Sequence, residues 1–270
     1  MHIGVFDSGV GGLTVLKALK AHLPRATFTY LGDTARLPYG TKSPDTIMRY
    51  VDQNVAFLQK FGVQAIVVAC NSASSVVVNR HWSGTPVFGV IEPGAQVAAR
   101  ASRSGRIGVV GTRATIGSAS YQKGILALRP EAAITAVPCP LLVPLVEEGW
   151  EEEALTLEVI ARYVAPLRAA QCDTVVLGCT HYPVLKQGFA AVLGPEVTLV
   201  DPGESVATAL EHHFVQAGIE PVESVPDRWF CTDLHPSYLA LGQKILGISN
   251  HLPWQAADLT PTLDPTSTRR

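Results

Sequence analysis

Two cysteines stand where a proton carrier or a nucleophile would be expected. Cys70 closes the apolar run Ala65-Ile66-Val67-Val68-Ala69 and is followed by Asn71-Ser72; Cys179 closes Thr174-Val175-Val176-Leu177-Gly178 and is followed by Thr180-His181. A free cysteine is by default a small buried hydrophobe, so either residue alone argues for packing. The pairing changes that reading. Each cysteine ends a strand-like run, where open α/β sheets bind ligands. Each also precedes polar residues able to start a helix, whose free N–H groups favour a thiolate. Two such thiols facing one another across a cleft make a pair of acid/base groups.

Two further residues can assist them. Asp7, in Phe6-Asp7-Ser8-Gly9-Val10-Gly11-Gly12, ends the first apolar run. A carboxylate there can orient an ammonium group, accept a proton from a thiol, or simply cap a helix. The glycine loop that follows is no dinucleotide fingerprint, because the third glycine position is Thr14, and no P-loop lysine follows. His181, two residues beyond Cys179, is placed to tune that thiol. A zinc site built from Cys70, Cys179 and His181 lacks a Cys-x-x-Cys or His-x-x-x-His anchor. Pyridoxal phosphate would need a Schiff-base lysine, and Lys42 is the one plausible loop candidate. No cofactor and no metal are therefore expected. Cys139, Cys172 and Cys231 lack a counterpart, and His212 and His213 sit together in a helical stretch; all five read as packing or surface residues.

The elements that must position these groups follow from hydrophobic periodicity. Runs rich in Val, Ile and Phe at His2 to Asp7, Thr27 to Leu31, Ala65 to Cys70 and Val87 to Ile91 predict buried strands. Between them, Gly12 to His22 places Leu13, Leu16 and Leu19 on one helical face, and Asp45 to Phe61 opens with the capping sequence Ser43-Pro44. Alternation of strand and helix predicts an α/β fold with parallel sheets flanked by helices. The pattern then repeats. The Cys70 and Cys179 runs match at an offset of 109 residues, and so do Val90-Ile91-Glu92-Pro93-Gly94 and Leu199-Val200-Asp201-Pro202-Gly203. A shared offset over separated motifs predicts two pseudo-symmetric lobes with the site in the cleft between them. The expected division is 1–96 plus 208–255 for the first lobe and 97–207 for the second, with 256–270 a loose tail.

Composition narrows the function classes. With 270 residues, 47% hydrophobic and a formal charge of −2, the chain has ample core-forming sequence and no basic field for a phosphate backbone, so no nucleic-acid partner is expected. The amino terminus reads at once as a strand, and no apolar run reaches membrane-spanning length; a cytoplasmic protein with no membrane partner is expected. Five scattered cysteines, an odd number, predict reduced thiols.

From residue 2 to about Gly247 the sequence resembles the glutamate racemases of the aspartate/glutamate racemase superfamily. The resemblance rests on Phe6-Asp7-Ser8-Gly9-Val10-Gly11-Gly12, on Gly32-Asp33-Thr34-Ala35-Arg36-Leu37-Pro38-Tyr39-Gly40, on Ala69-Cys70-Asn71-Ser72-Ala73-Ser74 and on Leu177-Gly178-Cys179-Thr180-His181-Tyr182-Pro183. It implies cofactor-independent interconversion of L- and D-glutamate for bacterial peptidoglycan, in a protein that commonly forms homodimers. The catalytic thiols then fall on Cys70 and Cys179, with Asp7 and His181 as auxiliaries. A carboxylate near the second thiol falls on Glu147 or its neighbour Glu148. Substrate contacts fall on Asp7, Ser8, Tyr39, Gly40, Asn71, Ser72, Thr180 and His181, with Ser72 standing where the family usually carries threonine. Two rival readings are an aspartate or hydantoin racemase and a two-lobed solute-binding module whose thiols are incidental.

Overall fold

The structure is a computed structural model that describes residues 1–77, 82–218 and 225–260. The first repeat runs β1 (His2–Asp7), α1 (Leu13–His22), β2 (Thr27–Gly32), α2 (Pro44–Gln59), β3 (Ala65–Val68), α3 (Asn71–Ser74), β4 (Val87–Gly89) and α4 (Ile91–Ala101). The second runs β5 (Arg106–Gly111), α5 (Arg113–Gly117), α6 (Ser120–Leu128), β6 (Ala133–Pro138), α7 (Leu142–Glu147), α8 (Ala154–Ala169), β7 (Thr174–Gly178), α9 (Lys186–Leu193), β8 (Thr198–Val200) and α10 (Pro202–Gln216). The chain then adds β9 (Arg228–Cys231), α11 (Pro236–Leu246) and β10 (Trp254–Ala256).

All strand pairs are parallel. One sheet has the order β10-β9-β2-β1-β3-β4 and the other β6-β5-β7-β8. The four-strand units β2-β1-β3-β4 and β6-β5-β7-β8 are the same arrangement, so β3 and β7, which lead into Cys70 and Cys179, occupy equivalent positions. Both are central strands and buried along their whole length. The 109-residue offset is thus the repeat of a four-stranded α/β unit.

Side chains of the central strands alternate between two covered faces. Ile3 and Val5 of β1 join Leu13, Leu16 and Leu19 of α1 in one core cluster, and Phe6 joins Ile47, Val51, Val55 and Leu58 of α2 in another. In the second unit Ile107 and Val109 pack with Ala95 and Ala98 of α4 and with Tyr121 and Ile125 of α6. Each fully buried Leu or Ile of these faces contributes about 1.5–3 kcal/mol of transfer free energy. The helix starts follow local chemistry: Ser43 caps α2 ahead of Pro44, and Asp201 caps α10 ahead of Pro202 by accepting the Gly203 N–H at 2.8 Å. Helix α10 packs against α1 and α4, and so ties the end of the second repeat to the first.

The carboxyl end of the described chain adds a strand that the sequence pattern did not predict, at the boundary between the expected first lobe and the tail. Trp254–Ala256 forms an edge strand paired with β9, and the Trp254 ring lies 5.7 Å from Trp229 and 6.0 Å from Tyr30. Polar residues around a three-residue strand hide its period, while the aromatic contacts that hold it are long-range. The remainder of the expected tail, 261–270, lies outside the described residues. Trp254→Ala should destabilise the fold by a few kcal/mol, toward the lower end of the ~3–5 found for fully buried aromatics. Chemical denaturation checks this, and a loose tail would give no change.

Candidate active site

The carboxyl ends of β1, β3, β5 and β7 converge on one cavity of roughly 270 Å³ between the two sheets. Cys70, Asn71, Ser72 and Ser8 enter it from the first unit, and Cys179, Thr180, His181 and Glu147 from the second. Tyr39 and Gly40 line it as well. The structure therefore brings together the sequence-derived candidates except Glu148, the alternative to Glu147, and Asp7, which is completely buried and does not line the cavity. Its carboxylate accepts the Gly9 N–H at 2.9 Å and the Thr180 hydroxyl at 3.3 Å.

Lobe contacts set the width of the cavity. Thr14 Oγ1 donates to the Thr180 carbonyl at 2.9 Å, and a β-carbon on Gly11 would sit 2.7 Å from the His181 ring. Across the cavity a β-carbon on Gly40 would sit 2.8 Å from Thr112. Both glycines are needed because backbone and side chain meet there without room for a methyl group. Ser72 Oγ lies 2.8 Å from Thr112 Oγ1, which in turn lies 3.1 Å from Thr115 Oγ1. Thr112, a strand-end residue given no role from sequence, lines the cavity with Arg113, Pro140 and Val143, which the sequence did not point to. For Thr112 a signal existed: Arg106-Ile107-Gly108-Val109-Val110-Gly111-Thr112 echoes His2 to Ser8, so Thr112 is the counterpart of Ser8.

The two thiols have unlike surroundings. Cys70 Sγ lies 3.6 Å from Ser8 Oγ and heads a helix of only four residues. Burial and the nearby Asp7 carboxylate push the thiol up to about 12, outweighing the Ala73 N–H and the Ser8 hydroxyl. The helix start does act in the expected downward direction, through the Ala73 N–H, but burial outweighs it. Cys179 is followed by a 3₁₀ turn (Tyr182–Leu185) instead of an α-helix. Its sulfur lies 3.9 Å from His181 Nδ1, and His181 Nε2 lies 3.2 Å from Glu147 Oε1, off the line of a hydrogen bond. Burial alone would lower the imidazole, but the Cys179 sulfur and the Glu147 carboxylate raise it to about 10. Burial also pushes the Asp7 carboxyl upward, against the His181 charge and the Gly9 and Gly12 N–H groups.

Two expectations are sharpened. Glu147 faces His181 while Glu148 is exposed and away from the cavity, so geometry selects the former. Tyr39 borders the cavity, yet its hydroxyl turns away to donate to Asp33 Oδ2 and accept from Asn54 Nδ2. Cys139, Cys172 and Cys231 are buried and unlinked. No helix among the described residues is long and apolar enough to cross a membrane.

The family description Asp/Glu/Hydantoin racemase matches residues 13–210. A glutamate racemase of Geobacter metallireducens is 44% identical over 250 residues, covering 91% of this chain and 92% of its own length. The chain belongs to this racemase family, with its glutamate racemases. Two racemase structures share the fold. The glutamate racemase isoform RacE1 of Bacillus anthracis superposes with a TM-score of 0.89 at 35% identity, covering 95% of this chain and 97% of its own. The enzyme of Francisella tularensis, solved in complex with D-glutamate, gives 0.87 at 32% identity, covering 96% and 97%.

In a racemase site of this form His181 is a charged group in the fold over most of the accessible pH range. Its folded value of about 10 exceeds the ordinary 6.5, so the stability it contributes is complete below 6.5 and is lost as pH rises through about 10. The buried thiols raised to about 12 begin to act only above their ordinary value of 9.0; from 6.5 to 9 the Met1 amino group, lowered from 8.0 by burial, acts in the opposite sense but equally in wild type and variant, so the difference between the two belongs to His181. Thermal melts across that interval should show falling stability in the wild type and a flatter profile in His181→Asn; parallel profiles would contradict it.

Proposed function

We propose that this chain interconverts L- and D-glutamate without a cofactor, exchanging protons between the substrate α-carbon and two thiols, Cys70 and Cys179. The observation that carries the reading is that equivalent strand ends of two repeated units present one thiol each to a single cavity. Inversion needs this: one thiolate removes the α-proton from its face while the opposite thiol delivers another to the far face. A single base would tend to return the proton where it came from.

The directions are assigned as part of this reading. Cys70 acts on D-glutamate. Its thiol is neutral in the resting site, and the Asp7 carboxylate, held basic by burial, takes the S–H proton before the sulfur takes the one on carbon. Cys179 acts on L-glutamate, with the imidazolium of His181 beside its sulfur and Glu147 behind the ring. In each direction one C–H bond breaks as one S–H bond forms, and the reverse happens on the other face. The α-carbon is a very weak acid, so the Asn71 NH2 group, the Ser72 hydroxyl and the Thr180 backbone N–H must hold the carboxylate as negative charge develops beside it. The Pro38-Tyr39-Gly40 segment favours glutamate over aspartate or a hydantoin, and the D-glutamate formed serves peptidoglycan synthesis.

Incubating metal-free, cofactor-free protein with L-glutamate in heavy water should abolish optical rotation and introduce deuterium at the α-carbon. Exchange with aspartate or a hydantoin alone would replace the substrate, and no exchange with any of the three would leave a binding module. Cys70→Ser and Cys179→Ser should each lower turnover by at least about 10²-fold, the scale of a lost acid/base group. In single turnovers Cys70→Ser should lose exchange mainly from D-glutamate and Cys179→Ser mainly from L-glutamate; equal defects would sink the assignment of directions.

A further inference from the structure

Asn71 follows Cys70 directly, lines the cavity and is 3% exposed. Its amide offers two faces of opposite character, a carbonyl oxygen that accepts and an NH2 group that donates. Only the donor face can hold a carboxylate, so the orientation of this amide decides whether the site attracts or repels an amino acid. The orientation is decided from the other unit. Tyr121 of α6 is completely buried, and its hydroxyl donates to Asn71 Oδ1 at 2.6 Å. Among the described residues this is the one hydrogen bond of that hydroxyl, and Asn71 Nδ2 has no protein partner there.

The phenol has no choice in the matter. Burial, together with Asp201 and Cys179 nearby, holds it well above its ordinary value, so it keeps its proton and must donate it. A buried donor without an acceptor is costly, and Oδ1 is the acceptor within reach. The ring is fixed as well: β-carbons on Gly94 and Gly178 would sit 3.2 Å from its two edges.

We propose that Tyr121 is a positioning residue: its hydroxyl locks the Asn71 amide so that the NH2 group, and not the carbonyl oxygen, faces the substrate carboxylate. This rests on the amino-acid substrate argued above and adds a residue outside the cavity to its recognition. Because Tyr121 belongs to the second unit and Asn71 to the first, the donor is set only when the two lobes are in register.

The test is a double-mutant cycle read in steady-state kinetics with both glutamate enantiomers. Tyr121→Phe keeps the ring and should raise KM about tenfold, the loss of one buried hydrogen bond, with little change in kcat. Asn71→Ala should raise KM at least as much, and adding Tyr121→Phe to it should raise KM no further. An equal rise in both backgrounds, or an unchanged KM in Tyr121→Phe alone, overturns the inference. Asn71→Asp supplies an arm that leaves Tyr121 intact: it keeps the acceptor for the hydroxyl but turns an oxygen toward the substrate. It should raise KM for both enantiomers more than tenfold, and a wild-type KM would show that the donor face is not what holds the carboxylate. Wild-type turnover separates the two questions, since an enzyme that racemises glutamate with unaltered KM after Tyr121→Phe keeps its function and loses only this residue's role.

Discussion

Gly11 and His181 approach so closely that no β-carbon fits between them, and three residues on, Thr14 donates to the Thr180 carbonyl. This seam joins the loop after the first strand to the end of β7. The rest of the site depends on it, because it fixes how far apart two otherwise independent sheets hold their thiols. A proton exchange across one carbon tolerates little error in that spacing. The same seam buries Asp7 under Thr180 and holds the His181 ring where it meets Cys179 on one side and Glu147 on the other.

The repeat makes the site symmetric only in outline. Ser8 and Thr112 are counterparts, as are Cys70 and Cys179, yet the polar groups behind the thiols differ in charge. A buried carboxylate stands behind Cys70 and an imidazole held protonated by two partners behind Cys179. Burial acts on both sides, raising acids and lowering the imidazole, and the direct partners decide the outcome. Opposite helpers suit the proposed reversible inversion, in which each thiol serves as base in one direction and as acid in the other.

Much of this was legible in the sequence. Hydrophobic period located the central strands and the long helices, because each is covered on faces that recur at a fixed spacing. The 109-residue offset revealed the two units, and the strand-end rule pointed to Cys70, Cys179, Asn71, Ser72, Thr180 and His181, all of which line the cavity. The points that local pattern did not reach have a common character. Asp7 is buried and does not line the cavity; the Tyr39 hydroxyl turns toward Asp33; burial outweighs the helix start at the Cys70 thiol; β10 is held by aromatic residues distant in sequence. In each case the deciding neighbour comes from another element.

The sequence by itself determined the repeat, the strand ends and the pair of thiols, since these depend on local periodicity and on spacing along the chain. Tertiary structure alone decided which way the polar groups face. It chose Glu147 over Glu148, turned the Asn71 amide through a tyrosine 50 residues away, and set the Ser72 hydroxyl against Thr112 of the opposite unit. Orientation and protonation depend on what lies within a few ångströms in space, and the packing of two sheets against each other brings together groups that no local pattern connects.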